Sequence, residues 1–217
     1  MTNFKAQREN LVEGQIRPHG VTDPRIADAV RAVPRENFVP KALRAVAYME
    51  DPVEIAPGRA LMPAMSFARM VQVADLEGHE TALDIGCGFG YSAAVLSSLV
   101  DTVIALEDTE EMVAAAEEKL ADLEIGNVAV VHGALNEGVA SQGPYDVIFL
   151  EGSVEQVPDT LLDQLVDGGR LIAVVNEDGR GEIRTYVKDA TGASDRSNYD
   201  ALVPALPGFE KPQAFTL

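Results

Sequence analysis

The residues with the clearest chemical potential lie in the stretch LDIGCGFGYSAA at positions 83–94. Gly86, Gly88 and Gly90 alternate there directly after an apolar run, and Asp84 precedes the first of them by two positions. Glycine tolerates positive φ and allows a ligand to approach the backbone closely. A glycine-rich turn between a strand and a helix is a common phosphate- or nucleotide-binding arrangement in α/β proteins. The pattern therefore predicts a nucleotide-type ligand at this turn.

The glycine spacing separates two classes of ligand. A dinucleotide fold usually requires a further glycine at position 91, which is Tyr91 in this chain. The spacing GxGxG suits S-adenosylmethionine, which has no pyrophosphate, and Asp84 would supply negative charge near its ammonium and sulfonium groups. Tyr91 then covers the methionine part of the cofactor or packs beneath the sheet. Another nucleotide, or a tight turn with no ligand, remains an alternative.

Further polar residues follow the later apolar runs. Glu107 lies 21 positions after Gly86, where an acidic residue can accept hydrogen bonds from ribose hydroxyls. A dinucleotide would also require this residue, so it indicates a nucleoside without choosing between cofactors. The stretch HGAL at 132–135 is expected near adenine, and Glu151 at the edge where substrate meets cofactor. The predicted cofactor-binding residues are Asp84, Gly86, Gly88, Gly90, Tyr91, Glu107, Asp108, Gly133, Ala134, Leu135 and Glu151.

These residues need a parallel sheet to bring them together. Five continuous apolar runs predict strands covered on both faces: 81–85, 102–107, 127–133, 145–152 and 168–175. Amphipathic stretches at 110–123 and 157–166 predict helices between them, the first with a capping box formed by Asp108 and Glu111. Alternation of this kind indicates right-handed crossovers.

The remaining segments are less regular. Residues 182–188 predict a further strand, 190–198 a polar loop, and 211–217 a last, antiparallel strand. The part before Thr81 is expected to be mostly helical, with proline-bearing breaks. We therefore expect residues 1–78 to form a helical extension packed on a core of residues 79–217.

Composition excludes several functions. The net charge of −18, from 17 basic and 35 acidic residues, disfavours nucleic acid or anionic lipid as a partner. No apolar run approaches the ~20 residues of a membrane span. The polar N-terminus and the single cysteine, Cys87, favour a cytoplasmic location. His19, His79 and His132 show no metal-ligand spacing, so no metal is expected.

The N-terminal third adds a family resemblance. The stretches GVTDPRIADAVRAVPRENFVP at 20–40, AYMEDPVEIAPG at 47–58, PYDVIF at 144–149 and QLVDGGRLIAVV at 164–175 resemble the protein-L-isoaspartate O-methyltransferase family. The resemblance runs from about Gly14 to Val175. It implies an α/β, Rossmann-like class I methyltransferase sheet of seven strands, the last antiparallel, with a helical N-terminal extension. It also implies methylation of the carboxylate of isoaspartyl residues in damaged proteins.

The acceptor side departs from the family pattern. After the glycine matched by Gly58, the family has Q-T-I-S-x-P, whose hydroxyl residues help to hold the substrate carboxylate. This chain reads RALMP at 59–63, with no serine or threonine. Arg59 could replace the lost hydroxyls, because a guanidinium can clamp a carboxylate with two hydrogen bonds. The alternative is a surface ion pair in an acidic protein.

Two further departures follow. The family's Gly-Asp-Gly after the third strand is altered, because Gly133 is followed by Ala134 and Leu135. At Glu151 the family usually has a small or hydroxyl residue. Glu151 could bind a basic acceptor or repel a carboxylate, or it could lie at a solvated strand end. A carboxylate acceptor is already ionised at neutral pH and needs no general base. The leading expectation is therefore carboxyl methylation of a peptide or protein. A methyltransferase with another acceptor, such as a small molecule, and a non-catalytic cofactor-binding protein are the alternatives. The sequence leaves the oligomeric state unknown.

Overall fold

A computed structural model describes residues 3–211 of the chain. Its centre is a seven-stranded sheet in the order β5-β4-β3-β6-β7-β8-β9. Strands β3 to β7 are parallel to their neighbours, whereas β8 is antiparallel to β7 and β9 to β8. The sheet strands are β3 (Thr81–Ile85), β4 (Thr102–Glu107), β5 (Val128–His132), β6 (Tyr145–Val154), β7 (Leu165–Glu177), β8 (Arg180–Asp189) and β9 (Gly192–Asp200).

Residues at the start of two helices explain why the helices begin there. α2 begins at Pro24, whose missing N–H costs nothing in a first turn, and Asp23 accepts a hydrogen bond from Arg25 N. Thr109 caps α5 by accepting from Met112 N, which replaces the predicted Asp108 cap. The α-helices of the described residues are α1 (Phe4–Leu11), α2 (Pro24–Ala32), α3 (Ala64–Ala74), α4 (Tyr91–Leu96), α5 (Glu110–Asp122) and α6 (Asp159–Leu162), with shorter 3-10 and π turns between some of them.

Continuous apolar strands bury both faces of the sheet. Successive residues of β3 belong to different hydrophobic clusters: Ala82 lies in the first cluster and Leu83 in the second. The first cluster also contains buried residues of α1, α2, α3 and α4, so the N-terminal helices share a core with the sheet. The second lies on the opposite face and includes Leu161 of α6. The expectation of strands covered on both faces is confirmed for β3, β4, β6 and most of β7. It is wrong for β5, which lies at the edge of the sheet and has only partly buried and exposed residues.

Two predicted segments were wrong in detail, and one further element was not predicted. The segment 190–198 was expected to be a loop, but most of it forms the edge strand β9, paired with β8. The helix expected over 157–166 is only α6, because the chain enters β7 at Leu165. The N-terminal part contains an unpredicted antiparallel hairpin, β1 (Val53–Ala56) and β2 (Arg59–Leu61). The strand expected at 211–217 lies almost wholly outside the described residues.

The segment after β9 returns to the carboxyl end of β6. Ser153 N donates to Pro204 O, and Leu206 N donates to Ser153 O, both at 2.8 Å. The hairpin and this segment place side chains from both ends of the chain near the glycine turn.

Candidate functional site

The glycine turn joins β3 to α4 in the way that the sequence predicts. Gly86, Gly88 and Gly90 have φ values of +81°, +61° and +93°. All three lie in the left-handed region, where a side chain is strained, so the conformation itself requires glycine. β3 lies between β4 and β6, so Glu107 and Glu151 flank this turn from either side.

Side chains pack against two of the glycines. A Cβ atom at Gly86 would lie 2.7 Å from Leu206 Cδ1 and 3.3 Å from Arg59 Nη2. A Cβ atom at Gly88 would lie 2.5 Å from Ile55 Cδ1. In this conformation the lack of side chains at Gly86 and Gly88 therefore makes room for Leu206, Arg59 and Ile55. The sequence analysis identified Arg59 but not Leu206 or Ile55.

Glu107 is fully buried and forms a bidentate ion pair with Arg59. Arg59 Nη2 lies 2.5 Å from Glu107 Oε1, and Nη1 lies 2.7 Å from Oε2. Arg59 Nη1 also donates to Asp108 Oδ1 at 3.0 Å. The Glu107 carboxylate also accepts hydrogen bonds from Gly88 N and, at 3.2 Å, from Asp108 N. The surface ion pair considered for Arg59 is thus a buried one, since Arg59 is only 8% exposed.

Burial and ion pairing have opposite effects on the pKa values of Glu107 and Arg59. Burial raises the pKa of Glu107, while the hydrogen bonds from Arg59 and Gly88 act to lower it. Burial alone would lower the pKa of Arg59, but hydrogen bonding and attraction to Glu107 raise it above its usual value. The guanidinium therefore stays charged, and its main partner is Glu107.

Asp84 and Glu151 form a second group of buried carboxylates. Asp84 Oδ2 accepts from Ser92 Oγ at 2.7 Å, while Asp84 Oδ1 and Glu151 Oε1 have no hydrogen-bond partner within the described part of the chain. Burial raises the pKa of Asp84 to about 7, with Ser92 lowering it and Glu107 raising it. Burial also raises the pKa of Glu151 well above its usual value, and Asp84 adds to this effect. The solvated strand end considered for Glu151 does not occur, since the residue is 8% exposed.

Arg35 ties the N-terminal part to the site. Its Nε donates to Ala47 O at 2.7 Å and its Nη2 to Met62 O at 2.5 Å. Its guanidinium carbon lies 4.7 Å from the centroid of the Tyr91 ring. Tyr91 is buried and also stacks edgewise on Phe38, which is the packing role considered for it. Sequence reasoning missed Arg35, although it stands in the VPR segment of the family resemblance.

The remaining predicted residues lie on the β4–β5 side. Gly133 N donates to Glu107 O at 2.9 Å, and the His132 ring nitrogen lies 3.1 Å from Asp108 O. Leu135 is buried after Ala134. The structure therefore places 133–135 beside Glu107 and Asp108, and Glu151 on the other side of the glycine turn.

Other features lie away from this edge. An open groove of about 400 Å³ is lined by Glu80, Asp146 and Arg170, at the opposite end of the strands. Its lining contains neither the strand–glycine–helix turn nor the unpartnered carboxylates Asp84 and Glu151, so geometry favours the glycine turn as the candidate site. Within residues 3–211, no group of three or more His, Cys, Asp or Glu side chains is arranged to hold a metal ion. In the same part of the chain, no helix has the length and apolar character needed to cross a membrane.

Comparison with known proteins gives consistent matches. The family described as protein-L-isoaspartate(D-aspartate) O-methyltransferase (PCMT) matches residues 6–204. A protein-L-isoaspartate O-methyltransferase of Methanoculleus marisnigri is 37% identical over 184 residues, covering 85% of this chain and 82% of that one. Protein-L-isoaspartate O-methyltransferase 1 of Rhodopseudomonas palustris is 39% identical, covering 82% and 72%.

Two solved structures share the fold. A protein-L-isoaspartate O-methyltransferase superposes with a TM-score of 0.80 at 28% identity, covering 93% of this chain and 66% of that longer chain. A protein from Plasmodium falciparum, described as a putative protein-L-isoaspartate O-methyltransferase in complex with S-adenosyl-L-homocysteine, has a TM-score of 0.76 at 22% identity. It covers 95% of this chain and 99% of that one, and it supports the fold alone.

Proposed function

Because the chain belongs to the protein-L-isoaspartate O-methyltransferase family, we propose that it methylates the carboxylate of isoaspartyl residues in damaged proteins. The family uses S-adenosylmethionine as its methyl donor. The observation that carries the proposal is the bare strand–turn–helix at Gly86–Gly90, with buried carboxylates on both sides.

The residues at the turn fit a sulfonium nucleoside. Glu107 ends β4 with both carboxylate oxygens directed to hydrogen-bond donors, as binding to two ribose hydroxyls would require. Asp84 Oδ1 is buried and finds no donor among residues 3–211, and an ammonium group would supply one. The side chains of Arg59, Leu206 and Ile55 pack on the turn and must move aside for the ligand.

The cofactor supplies an electrophilic methyl group, and the protein has to position the acceptor. Glu107 is assigned to the ribose, Asp84 to the ammonium end, and residues 133–135 to the adenine side. A carboxylate acceptor needs no general base, because its pKa of about 4 leaves it ionised at neutral pH. Alignment of the reacting atoms at roughly 3 Å then supplies much of the rate enhancement. Arg59 is our candidate for holding the acceptor carboxylate.

One observation favours a second candidate, a methyltransferase with a different acceptor. Glu151 is buried near the turn, and its Oε1 has no partner among the described residues. If ionised, it would repel a carboxylate acceptor and attract a cationic one. The segment 59–63 also lacks hydroxyl residues, and the nearby Ser66 is buried in α3.

The location and partners follow from composition. Cys87 is buried and is the only cysteine, so the chain forms no internal disulfide, and we propose a cytoplasmic protein. The net charge of −18 supports a protein substrate rather than a nucleic acid.

The test uses radiolabelled S-adenosylmethionine with an isoaspartyl peptide, and the same peptide with a normal aspartyl residue as control. We expect base-labile methyl incorporation into the isoaspartyl peptide alone. Incorporation into neither peptide, with transfer to an amine-containing acceptor panel, would support the second candidate. Cofactor binding by calorimetry with no transfer to any acceptor would indicate a non-catalytic binding protein and overturn both.

A further inference from the structure

The Glu107 carboxylate has no lone pair left to accept a hydrogen bond from a ribose hydroxyl while Arg59 is bound to it. Its carboxylate accepts from both Arg59 Nη atoms, from Gly88 N and from Asp108 N. A carboxylate has about four lone-pair positions, so all of them are used. The Arg59 guanidinium lies where hydrogen-bond donors of the ribose would have to lie, and its Nη2 also approaches Gly86.

We propose that Arg59 and the cofactor ribose compete for Glu107, and that cofactor binding releases Arg59 to hold the acceptor carboxylate. The acceptor half of this statement rests on the proposed function. The competition half depends only on the contacts of Arg59, Glu107 and the glycine turn.

The position of Arg59 in the chain suits both partners. It opens β2, directly after Gly58, whose φ of +72° makes the hairpin turn. This is the segment that the family resemblance assigns to the acceptor, and it carries no hydroxyl side chain between 59 and 63. A guanidinium forms the same two-pronged hydrogen bonds with any carboxylate. The acceptor can therefore offer Arg59 the geometry that Glu107 offers before the cofactor binds.

The energetics favour an ordered exchange. A buried guanidinium that loses its carboxylate is strongly destabilising unless another anion replaces it. Once the ribose engages Glu107, the acceptor carboxylate becomes the favourable partner for Arg59. Before that, the closed state, in which Arg59 is paired with Glu107, cannot bind the ribose. The observed Kd for the cofactor is therefore the intrinsic Kd divided by the fraction of molecules that are open. Removing the guanidinium should therefore tighten cofactor binding and weaken acceptor binding, a pair of opposite effects that a purely structural role would not produce.

The first experiment is calorimetric titration of the full chain with S-adenosylhomocysteine. We expect Arg59→Ala to bind at least about tenfold more tightly than the wild type, because the closed state is lost. Arg170→Ala is the matched control, since Arg170 pairs with the buried Glu80 at 2.7 Å, away from the glycine turn. This control should lose stability but keep the wild-type affinity. Unchanged or weaker binding in Arg59→Ala would overturn the competition.

An analogue that lacks the 2′ and 3′ hydroxyls tests the ribose directly. The affinity of this analogue should be the same for the wild type and for Arg59→Ala. Without its hydroxyls, the analogue cannot donate the hydrogen bonds that Glu107 loses when the guanidinium is removed. An equal gain for both ligands would show that Arg59 only blocks the cleft sterically, and would overturn the exchange at Glu107. If Arg59→Ala does not fold, Arg59→Gln, which removes the charge and keeps an amide donor, is expected to show the same direction.

The acceptor arm measures steady-state methylation of an isoaspartyl peptide at saturating cofactor. Arg59→Ala should raise KM for the peptide at least about tenfold with a smaller effect on kcat, and Arg59→Lys should restore part of the affinity. An unchanged KM would overturn the acceptor role. If the wild type methylates no isoaspartyl peptide while Arg59→Ala binds S-adenosylhomocysteine more tightly, the proposed substrate fails and the competition for Glu107 is supported.

Discussion

Replacing Asp84 with asparagine should stabilise the cofactor-free protein at neutral pH. Burial raises the pKa of Asp84 from 3.8 to about 7. The contribution of the protonated carboxyl is fully present below the unfolded value of 3.8 and is lost as the pH rises through about 7. Since one pKa unit corresponds to about 1.4 kcal/mol, the ionised form costs about 4 kcal/mol above pH 7. Asparagine cannot ionise, and its amide oxygen can still accept from Ser92 Oγ.

The assay is urea unfolding of the wild type and Asp84→Asn from pH 4 to 8.5 at fixed salt. The two free energies of unfolding should be similar near pH 4 and diverge towards pH 8, where the variant is more stable. The control is Glu80→Gln, another buried carboxylate, whose pKa is lowered, despite burial, by Glu77 N and by Arg170. That variant should instead lose about 3 kcal/mol or more at neutral pH. A wild type that is as stable as Asp84→Asn at pH 8 would show that ionisation of the buried Asp84 carboxyl has no such cost.

Two further substitutions probe the glycine turn. Gly88→Ala should destabilise the protein by about 1–3 kcal/mol in urea unfolding, because φ is +61° and the new Cβ would lie 2.5 Å from Ile55 Cδ1. Because Ile55 is buried and its truncation has a cost of its own, the comparison is made in an Ile55→Ala background. Gly88→Ala should cost less there than in the wild type, and an equal cost would show that the backbone alone is responsible. Leu206→Ala should cost about 2–5 kcal/mol of stability, yet tighten S-adenosylhomocysteine binding severalfold in calorimetry, because it clears the space beside Gly86. Weaker binding in this variant would contradict the closed arrangement.

The central sheet could be predicted because its strands carry their own signal. β3 and β4 were predicted with the same bounds as the structure has, since parallel strands buried on both faces read as unbroken apolar runs. β9 gave no such signal. Its sequence, GASDRSNYD, is polar and largely exposed, and it forms a strand because β8 offers a free edge for pairing. Edge pairing of this kind depends on the neighbouring strand rather than on the residues themselves.

The hairpin β1–β2 was missed for a related reason. Its strands have four and three residues, too few for a period to be recognised, and Pro57 with Gly58 marked only a break. The parallel register of β3 and β4 places Glu107 and the three glycines at one edge of the sheet. The identity of the partner of Glu107 could not be predicted, because Arg59 lies 48 positions away on an element that the pattern did not reveal.

The arrangement at Glu107 follows from a general requirement of buried carboxylates. A glutamate placed at the end of a central strand to bind ribose is buried whether or not the nucleoside is present, and it needs hydrogen-bond donors in both states. Backbone N–H groups of Gly88 and Asp108 supply part of the need, and a charged donor has to supply the rest. In this chain the donor comes from the segment where the family resemblance places acceptor-holding hydroxyls. In the exchange that we propose, this guanidinium couples occupation of the ribose site to the acceptor site, so substitution of Arg59 should change the affinities for both ligands in opposite directions.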